Sequence, residues 1–501
     1  MPVTRPSGRR RLSSPLWPPR LAVGFYLLTR VAQLVMLGRP VVPVDASMYR
    51  SPGQSWLDFD STSFLGHSLR PWPVTVVYAL APSDTWRILA QFVIATCCWA
   101  FCIWQFGRLT SNRAVAVVAS FTVAVLAGTT GVSGFDPVLL SESLTLSWMA
   151  LYVGALLSLC SGRGRLATLV VAFLSASILG ILRPVLIPLI AVVALLAYLL
   201  RTRDSRRPAR PMATFAVISV LTLGTSAYAW TYNVEMDKTW GDWLSVPGLN
   251  GRTLTQYYVA AYGTKSGPEL IEAMVDAGAP DCLRPGPPAT RGDPSRDYFR
   301  EDRLSCPEGQ AWLSDHFVSF LVGHLARHPG AALTYFRGAL DDASVVSVQR
   351  AVDDVAIPSF VPGPVDRLFF SRRPGFFDLL VLWSLVAVGA VAVRHKLNRR
   401  ETDSDGTTGD RTLPIIVGCT LLAGYVALVG TALLSAVDAS RVALPVTVLI
   451  RLLLIVVIVR TIVAILASRG TRIVQGAGHD RSLGARQADL EPRPVAGSAR
   501  R

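Results

Sequence analysis

Residues 43–73, PVDASMYRSPGQSWLDFDSTSFLGHSLRPWP, carry Asp45, Asp58 and Asp60 together with Arg50, Arg70, Tyr49 and His67, and long apolar runs lie on both sides. Ionised carboxylates beside apolar segments need water, a partner or a task. A carboxylate held against a hydroxyl can take its proton as a general base. An arginine offers a planar fork of donors that fits two oxygens of one phosphate or carboxylate. Three later segments hold the same residue types: Glu142 in FDPVLLSESLTLSWMALYVGALL (135–157), Arg183 in ILRPVLIPL (181–189) and Arg441 in DASRVALPVTVLI (438–450). Each carboxylate also has a plain role, which is to solvate an exposed loop.

These residues must be positioned by apolar elements. The chain has 501 residues, 51% hydrophobic and 17% charged, with a mean hydropathy of +0.41. That is too apolar for an ordinary soluble protein. Runs of about 20 apolar residues recur, and as helices rising 1.5 Å per residue they match a hydrocarbon core of about 30 Å. Backbone polar groups find no water in lipid, so such runs must be helical. The fold expected is an all-α polytopic membrane protein with about ten spanning helices, near 21–39, 86–107, 113–131, 138–160, 166–182, 185–200, 212–231, 376–394, 413–436 and 440–467. Residues 21–38 are not expected to be a cleaved leader, because no small-residue cleavage site follows and Arg30 interrupts the run.

Charge sets the expected orientation. Arginine and lysine fall in the N-terminal tail and in every second connection: Arg108 and Arg113; Arg163 and Arg165; Arg201 to Arg210; Arg394 to Arg400; and then Arg469 and Arg472. Basic connections stay in the cytosol. An even helix count then puts both termini there, in a plasma membrane, with the bilayer as a partner. The net charge of +15 is explained by this pattern. A nucleic-acid partner is not expected, since that would need one contiguous basic face.

The expected organisation is a basic tail over 1–20, a transmembrane module over 21–231 with an external loop at 40–85, and an extracytoplasmic, mostly helical domain over 232–375. C-terminal spans over 376–468 and a disordered tail over 469–501 complete it. Of seven cysteines, only Cys282 and Cys306 lie in a polar region. Outside the cytosol they are expected to form a disulfide, worth about 3 kcal/mol. The aromatic stretch at 228–243 is expected to lie in the interfacial belt.

The ordered set of segments resembles the GT-C superfamily of membrane glycosyltransferases, which includes protein O-mannosyltransferases and the aminoarabinose transferases of lipid A. The resemblance rests on Asp45 followed by Tyr49, Arg70-Pro71-Trp72-Pro73, the Ser141-Glu142-Ser143 helix start, Arg183-Pro184, and Arg441 before Pro445. Ala46 stands where protein mannosyltransferases have a second acidic residue, and Val442 where a Tyr is frequent.

The resemblance implies transfer of a sugar from a polyprenyl-phosphate carrier to an extracytoplasmic glycan, lipid or protein acceptor, with inversion. Asp45 would be the base, and Arg183, Arg441 and Arg70 would bind the donor phosphate. Tyr49 and Glu142 would position substrate. No cofactor is required. Asp58 and Asp60 form an Asp-x-Asp pair, the form that holds a divalent metal in many sugar-nucleotide enzymes, but a lipid-phosphate donor lacks the diphosphate that makes metal useful. Arg30, Arg451 and Arg460 sit within apolar runs and must face the bundle interior, water or a headgroup. His316, His324 and His328 share a helix face without an acidic partner, and no metal site is assigned to them. The competing class is a transporter or flippase of an envelope lipid or glycan.

Overall fold

The structure is a computed structural model. It describes residues 17–36, 40–42, 64–65, 70–161, 163, 166–202, 209–243, 249–251, 253, 256, 267–284, 306–330, 334, 337, 340, 361–370, 381–392, 412–434 and 439–488. Among them the regular structure is helical, and extended pairing is limited to one parallel bridge between Val41 and Val138.

Fifteen α-helices are used below. α1 is Trp17–Met36, α2 Trp72–Ala79, α3 Asp84–Phe106, α4 Arg113–Gly128, α5 Thr130–Ser133, α6 Ser141–Cys160, α7 Leu166–Leu182, α8 Pro188–Thr202 and α9 Ala209–Trp243. α10 is Gly267–Asp276, α11 Pro307–Arg327 and α12 Gly363–Phe369. α13 is Val381–Ala392, α14 Thr412–Leu434 and α15 Ala439–Ala488. Helix occupies part or all of each predicted span. Among the described residues four helices are long and apolar enough to cross a membrane: Asp84–Phe106, Ser141–Cys160, Thr412–Thr431 and Val442–Leu466. Four more, Arg113–Gly128, Leu166–Leu182, Pro184–Leu200 and Val381–Ala392, are apolar but shorter.

α6 is the hub. It is buried over most of its length and packs against α3, α7 and α15. At 20 residues it measures about 30 Å. Its hydroxyls turn back onto the helix: Thr145 donates to the Ser141 carbonyl and Ser147 to the Ser143 carbonyl, both at 2.7 Å. Buried polar atoms are thereby satisfied without a foreign partner. Apolar helices gain little from each other in lipid, so close backbone approach at small residues matters. Gly154 provides it. A Cβ there would lie 2.8 Å from the Phe101 ring and 3.3 Å from the Cys102 Cα of α3. α1, in contrast, leaves Leu28, Val31 and Val35 exposed on one face and buries Tyr26, Arg30 and Gln33 on the other.

Proline sets several boundaries. Arg183 is extended (φ −145°, ψ 106°), the conformation a following proline favours, so α7 stops and a 3₁₀ turn at Pro184–Leu186 leads into α8. Pro82 lies between α2 and α3, and α2 is a distinct short helix within the segment 40–85 that the sequence reading assigned to an external loop. Two helices outrun their predicted ends. α9 continues through Trp243, and α15 runs to Ala488 into the tail expected to be disordered. Adding a residue to an existing helix needs no new nucleus, so a stable apolar half can extend a polar one. Cys282 and Cys306 are joined by a disulfide, with Cα atoms 6.4 Å apart. The Cys306 sulfur also accepts from the Gly309 amide at 3.2 Å, capping α11.

Replacing Gly154 by Leu should force α3 from α6 at a cost of about 1–3 kcal/mol. The expected result is a lower apparent Tm in detergent, read by scanning fluorimetry. An unchanged Tm would show that the two helices do not touch there.

Candidate functional site

The bundle has two chemically different ends. At one, the start of α1 meets the turn after α3: a Cβ on Gly107 would lie 2.7 Å from the Pro19 Cβ. Arg163 Nη1 donates to the Arg108 carbonyl at 2.6 Å, and Arg460 Nη1 to the Leu109 carbonyl at 3.4 Å. Arginines gather here without a carboxylate in 17–23, 107–115, 161–169 or 453–466. The opposite end holds Asp84, Asp136, Glu142 and Asp366. There Arg30, Arg87 and Arg183 are paired with carboxylates.

Glu142 lies in the first turn of α6, where the helix dipole favours negative charge. Its side chain is 2% exposed, and its Oε1 accepts from Arg183 Nη2 at 2.8 Å. The same nitrogen lies 3.4 Å from Ser141 Oγ. Arg183 reaches inward because the proline-terminated end of α7 leaves it extended beside α6. Its Nε is buried and has no hydrogen-bond partner among the described residues.

Two ends of the first loop are brought to this place. Val41 donates from its amide to the Pro137 carbonyl at 3.1 Å and accepts from the Leu139 amide at 3.2 Å. Val41 therefore lies beside the segment that opens α6. On the other side of the loop, Tyr232 of α9 donates to the Arg70 carbonyl at 3.3 Å and accepts from the Trp72 amide at 2.9 Å. Tyr228 donates to the Phe64 carbonyl at 2.6 Å. Asn233 Nδ2, one residue on, donates to the Ile181 carbonyl at 3.4 Å, two residues before Arg183. The aromatic stretch read as an interfacial belt thus uses two of its tyrosines to hold the loop.

A second network lies deeper. Arg30 Nη2 pairs with Asp136 Oδ2 at 2.6 Å, both nearly inaccessible. Arg30 also donates to Gln33 Oε1 at 2.6 Å and Thr96 Oγ1 at 3.2 Å, and its guanidinium lies 3.7 Å from the Phe92 ring centroid. Ser143 Oγ donates to Asp136 Oδ1 at 2.6 Å. Gln91 donates to the Asp136 and Val138 carbonyls and accepts from Tyr78 of α2. The segment between α5 and α6 is thus irregular backbone held inside protein, the condition under which such backbone is tolerated at membrane depth. Asp366 of α12 adds a clamp, accepting from the Thr130 amide and hydroxyl, each at 2.7 Å. Arg451 of α15 donates to the Phe369 carbonyl at 2.9 Å and to the Thr447 carbonyl at 2.6 Å.

Of the residues singled out by sequence, Glu142 and Arg183 come together, and Arg70 sits at the α9 contact. Asp45, Tyr49, Asp58, Asp60 and His67 lie outside the described residues, and for Arg441 the backbone alone, in the first turn of α15, is described. Sequence reasoning missed Asp136 and Asp366. The available signal for Asp136 was Arg30 itself, since a mid-helix arginine requires a counter-charge. Along α11 the rings of His316, His324 and His328 form a partly exposed ladder with Trp312 and Phe320. Among the described residues no group of three or more His, Cys, Asp or Glu side chains is placed to hold a metal ion. The cavity lined by Val153, Cys160, Ile416, Thr420 and Leu453 has an apolar lining and lies in the arginine-rich half, away from Glu142. The chain matches no known family, no curated protein and no solved structure.

Replacing Asp136 by Ala strands Arg30 in the bundle and should cost about 3–5 kcal/mol. The paired change Arg30→Met with Asp136→Leu should recover most of that loss. Thermal unfolding of the three proteins in one detergent checks this. Equal losses in the single and double variants would show that the pair does not carry the coupling.

Proposed function

We propose that this chain is an integral membrane glycosyltransferase of GT-C type. It moves a sugar from a polyprenyl-phosphate carrier to an acceptor at the outer face of the plasma membrane, with ten helices spanning and both termini cytosolic. The observation that carries the reading is the 2.8 Å contact between Arg183 and Glu142. It joins two motifs that resemble the family's, 41 residues apart, at the end where the first loop begins and returns. Val42 is three residues before Asp45, and three residues of chain span at most about 11 Å. This supports a reading in which a carboxylate base and a phosphate-binding guanidinium reach one substrate.

The acceptor hydroxyl attacks the anomeric carbon as Asp45 takes its proton. The bond between that carbon and the phosphate oxygen breaks, and polyprenyl phosphate leaves. Negative charge grows on the leaving oxygen, so donors placed there favour the transition state. Arg183 and Arg441 fill that role, with Arg70 at the loop's return. The burial of Glu142 against Arg183 fits orientation of that guanidinium better than contact with an acceptor. Arg183 Nε keeps a donor direction for the phosphate. Tyr49 positions the sugar or acceptor.

The transporter reading draws on the buried Arg30–Asp136 pair, since charges within a membrane mark transport paths. That pair is enclosed by Gln33, Thr96, Ser143 and Phe92, which supports a structural role.

Membranes containing the protein, incubated with radiolabelled polyprenyl-phosphate sugar, should transfer label to a new product. Asp45→Asn should lower transfer at least about 100-fold without unfolding the protein. Arg441→Ala should weaken donor use more than acceptor use. Full transfer by Asp45→Asn would remove the assigned base, and movement of intact carrier between leaflets would replace the enzyme with a transporter.

A further inference from the structure

The histidine column of α11 has no part in the proposed reaction. His324 and His328 are four residues apart, so they stand one above the other on one helix face. Their ring centroids lie 4.8 Å apart, with the planes at 46°. The backbone fixes that register. His328 caps α11 with non-helical angles (φ −123°, ψ 71°) ahead of Pro329, because a following proline disfavours the α region. Its amide still donates to the His324 carbonyl at 3.0 Å, which keeps the two side chains on the same column. One turn earlier, Phe320 stacks on His324, with centroids 5.5 Å apart and planes at 28°. His324 thus meets Phe320 on one side and His328 on the other. His324 is half-buried and His328 exposed, so solvent reaches the pair. Arg327 is turned along a neighbouring column, its Nε donating to the Gly323 carbonyl at 3.0 Å. The start of α11 is already tied by the Cys282–Cys306 disulfide.

Two histidines at this spacing on a helix can turn imidazole nitrogens toward one point, the arrangement by which helical pairs hold zinc. Metal–nitrogen bonds of about 2.1 Å put an ion about 3.2 Å from each ring centre. Ring centres 4.8 Å apart then subtend about 100° at the ion, between the square and the tetrahedral angle. We propose that His324 and His328 bind a divalent transition-metal ion of the nickel, copper or zinc type across the last turn of α11. Imidazole suits these ions, whereas magnesium and calcium prefer oxygen. With two protein ligands the site is open and exchangeable, and water or a small anion fills its other positions. Such a site agrees with the described residues offering no group of three or more donors. Protonated histidines would also suit the negative end of the helix dipole, but that role selects no metal. The inference is independent of the sugar-transfer chemistry.

The test uses the full-length chain without an affinity tag, stripped with EDTA and titrated calorimetrically with Ni²⁺ in detergent near neutral pH. His324→Ala and His328→Ala should each weaken binding at least about 10-fold, since losing the support of a ligand alone costs that much. His316→Ala should leave binding unchanged, because eight residues put that ring about 12 Å away along the helix. Mg²⁺ at equal concentration should not displace Ni²⁺. Electron paramagnetic resonance of the unaltered protein with one equivalent of Cu²⁺ should show coupling to two imidazole nitrogens. Unchanged affinity in His324→Ala or His328→Ala, equal losses in all three variants, displacement by Mg²⁺, or coupling to a single nitrogen would each overturn the site. Should a variant fail to fold, the Cu²⁺ spectrum and the Mg²⁺ competition of the unaltered protein decide the matter alone.

Discussion

A charge inside an apolar helix bundle must meet its opposite, and that requirement shapes one whole end of this protein. Arg30 enters on α1 and finds Asp136. Asp136 accepts from Ser143, and its carbonyl accepts from Gln91, which in turn contacts Tyr78. Through these bonds α1, α2, α3 and the start of α6 are fixed to one another. Removing a single partner leaves a desolvated charge, so this network resists piecemeal change. Its result is a defined first turn of α6, which carries Glu142 to Arg183.

Two kinds of contact build the bundle around that network. Small residues let helices approach, as Gly154 does between α6 and α3. Polar side chains then lock the ends: Asp366 on Thr130, Arg451 on the Phe369 carbonyl, and Tyr232 between Arg70 and Trp72. The division of labour has a physical basis. Dispersion between apolar helices in lipid is weakly directional, whereas a buried hydrogen bond fixes register. At the arginine-rich end the described contacts are of another kind, with Arg163 and Arg460 donating to the Arg108 and Leu109 carbonyls.

Much of this was legible in the chain. Apolar runs located the helices, and Pro184 located the corner at Arg183. The buried place of Arg30 followed from the cost of a charge in a span. Its partner did not, because Asp136 lies 106 residues away and nothing local ties the two together. Asp366 was hidden for the same reason, with 236 residues between it and Thr130. The separate helix α2 was obscured because Pro71 to Ala81 reads as one continuous apolar approach to α3. The extensions of α9 and α15 were obscured because their polar composition resembles that of a loop, while an apolar helix already formed upstream carries the backbone onward. The motifs around Glu142 and Arg183 were visible as residue types, but their meeting depends on α6 packing beside α7.

The central claim is that one end of the bundle gathers a carboxylate base and phosphate-binding arginines around a lipid-linked sugar. A cryo-EM structure of the full chain with a polyprenyl-phosphate sugar bound tests it most directly. The account predicts the donor phosphate about 3 Å from Arg183 and the anomeric carbon facing Asp45. A donor seated against Arg108, Arg163 and Arg460, or Asp45 turned away from Arg183 across the bundle, would contradict it.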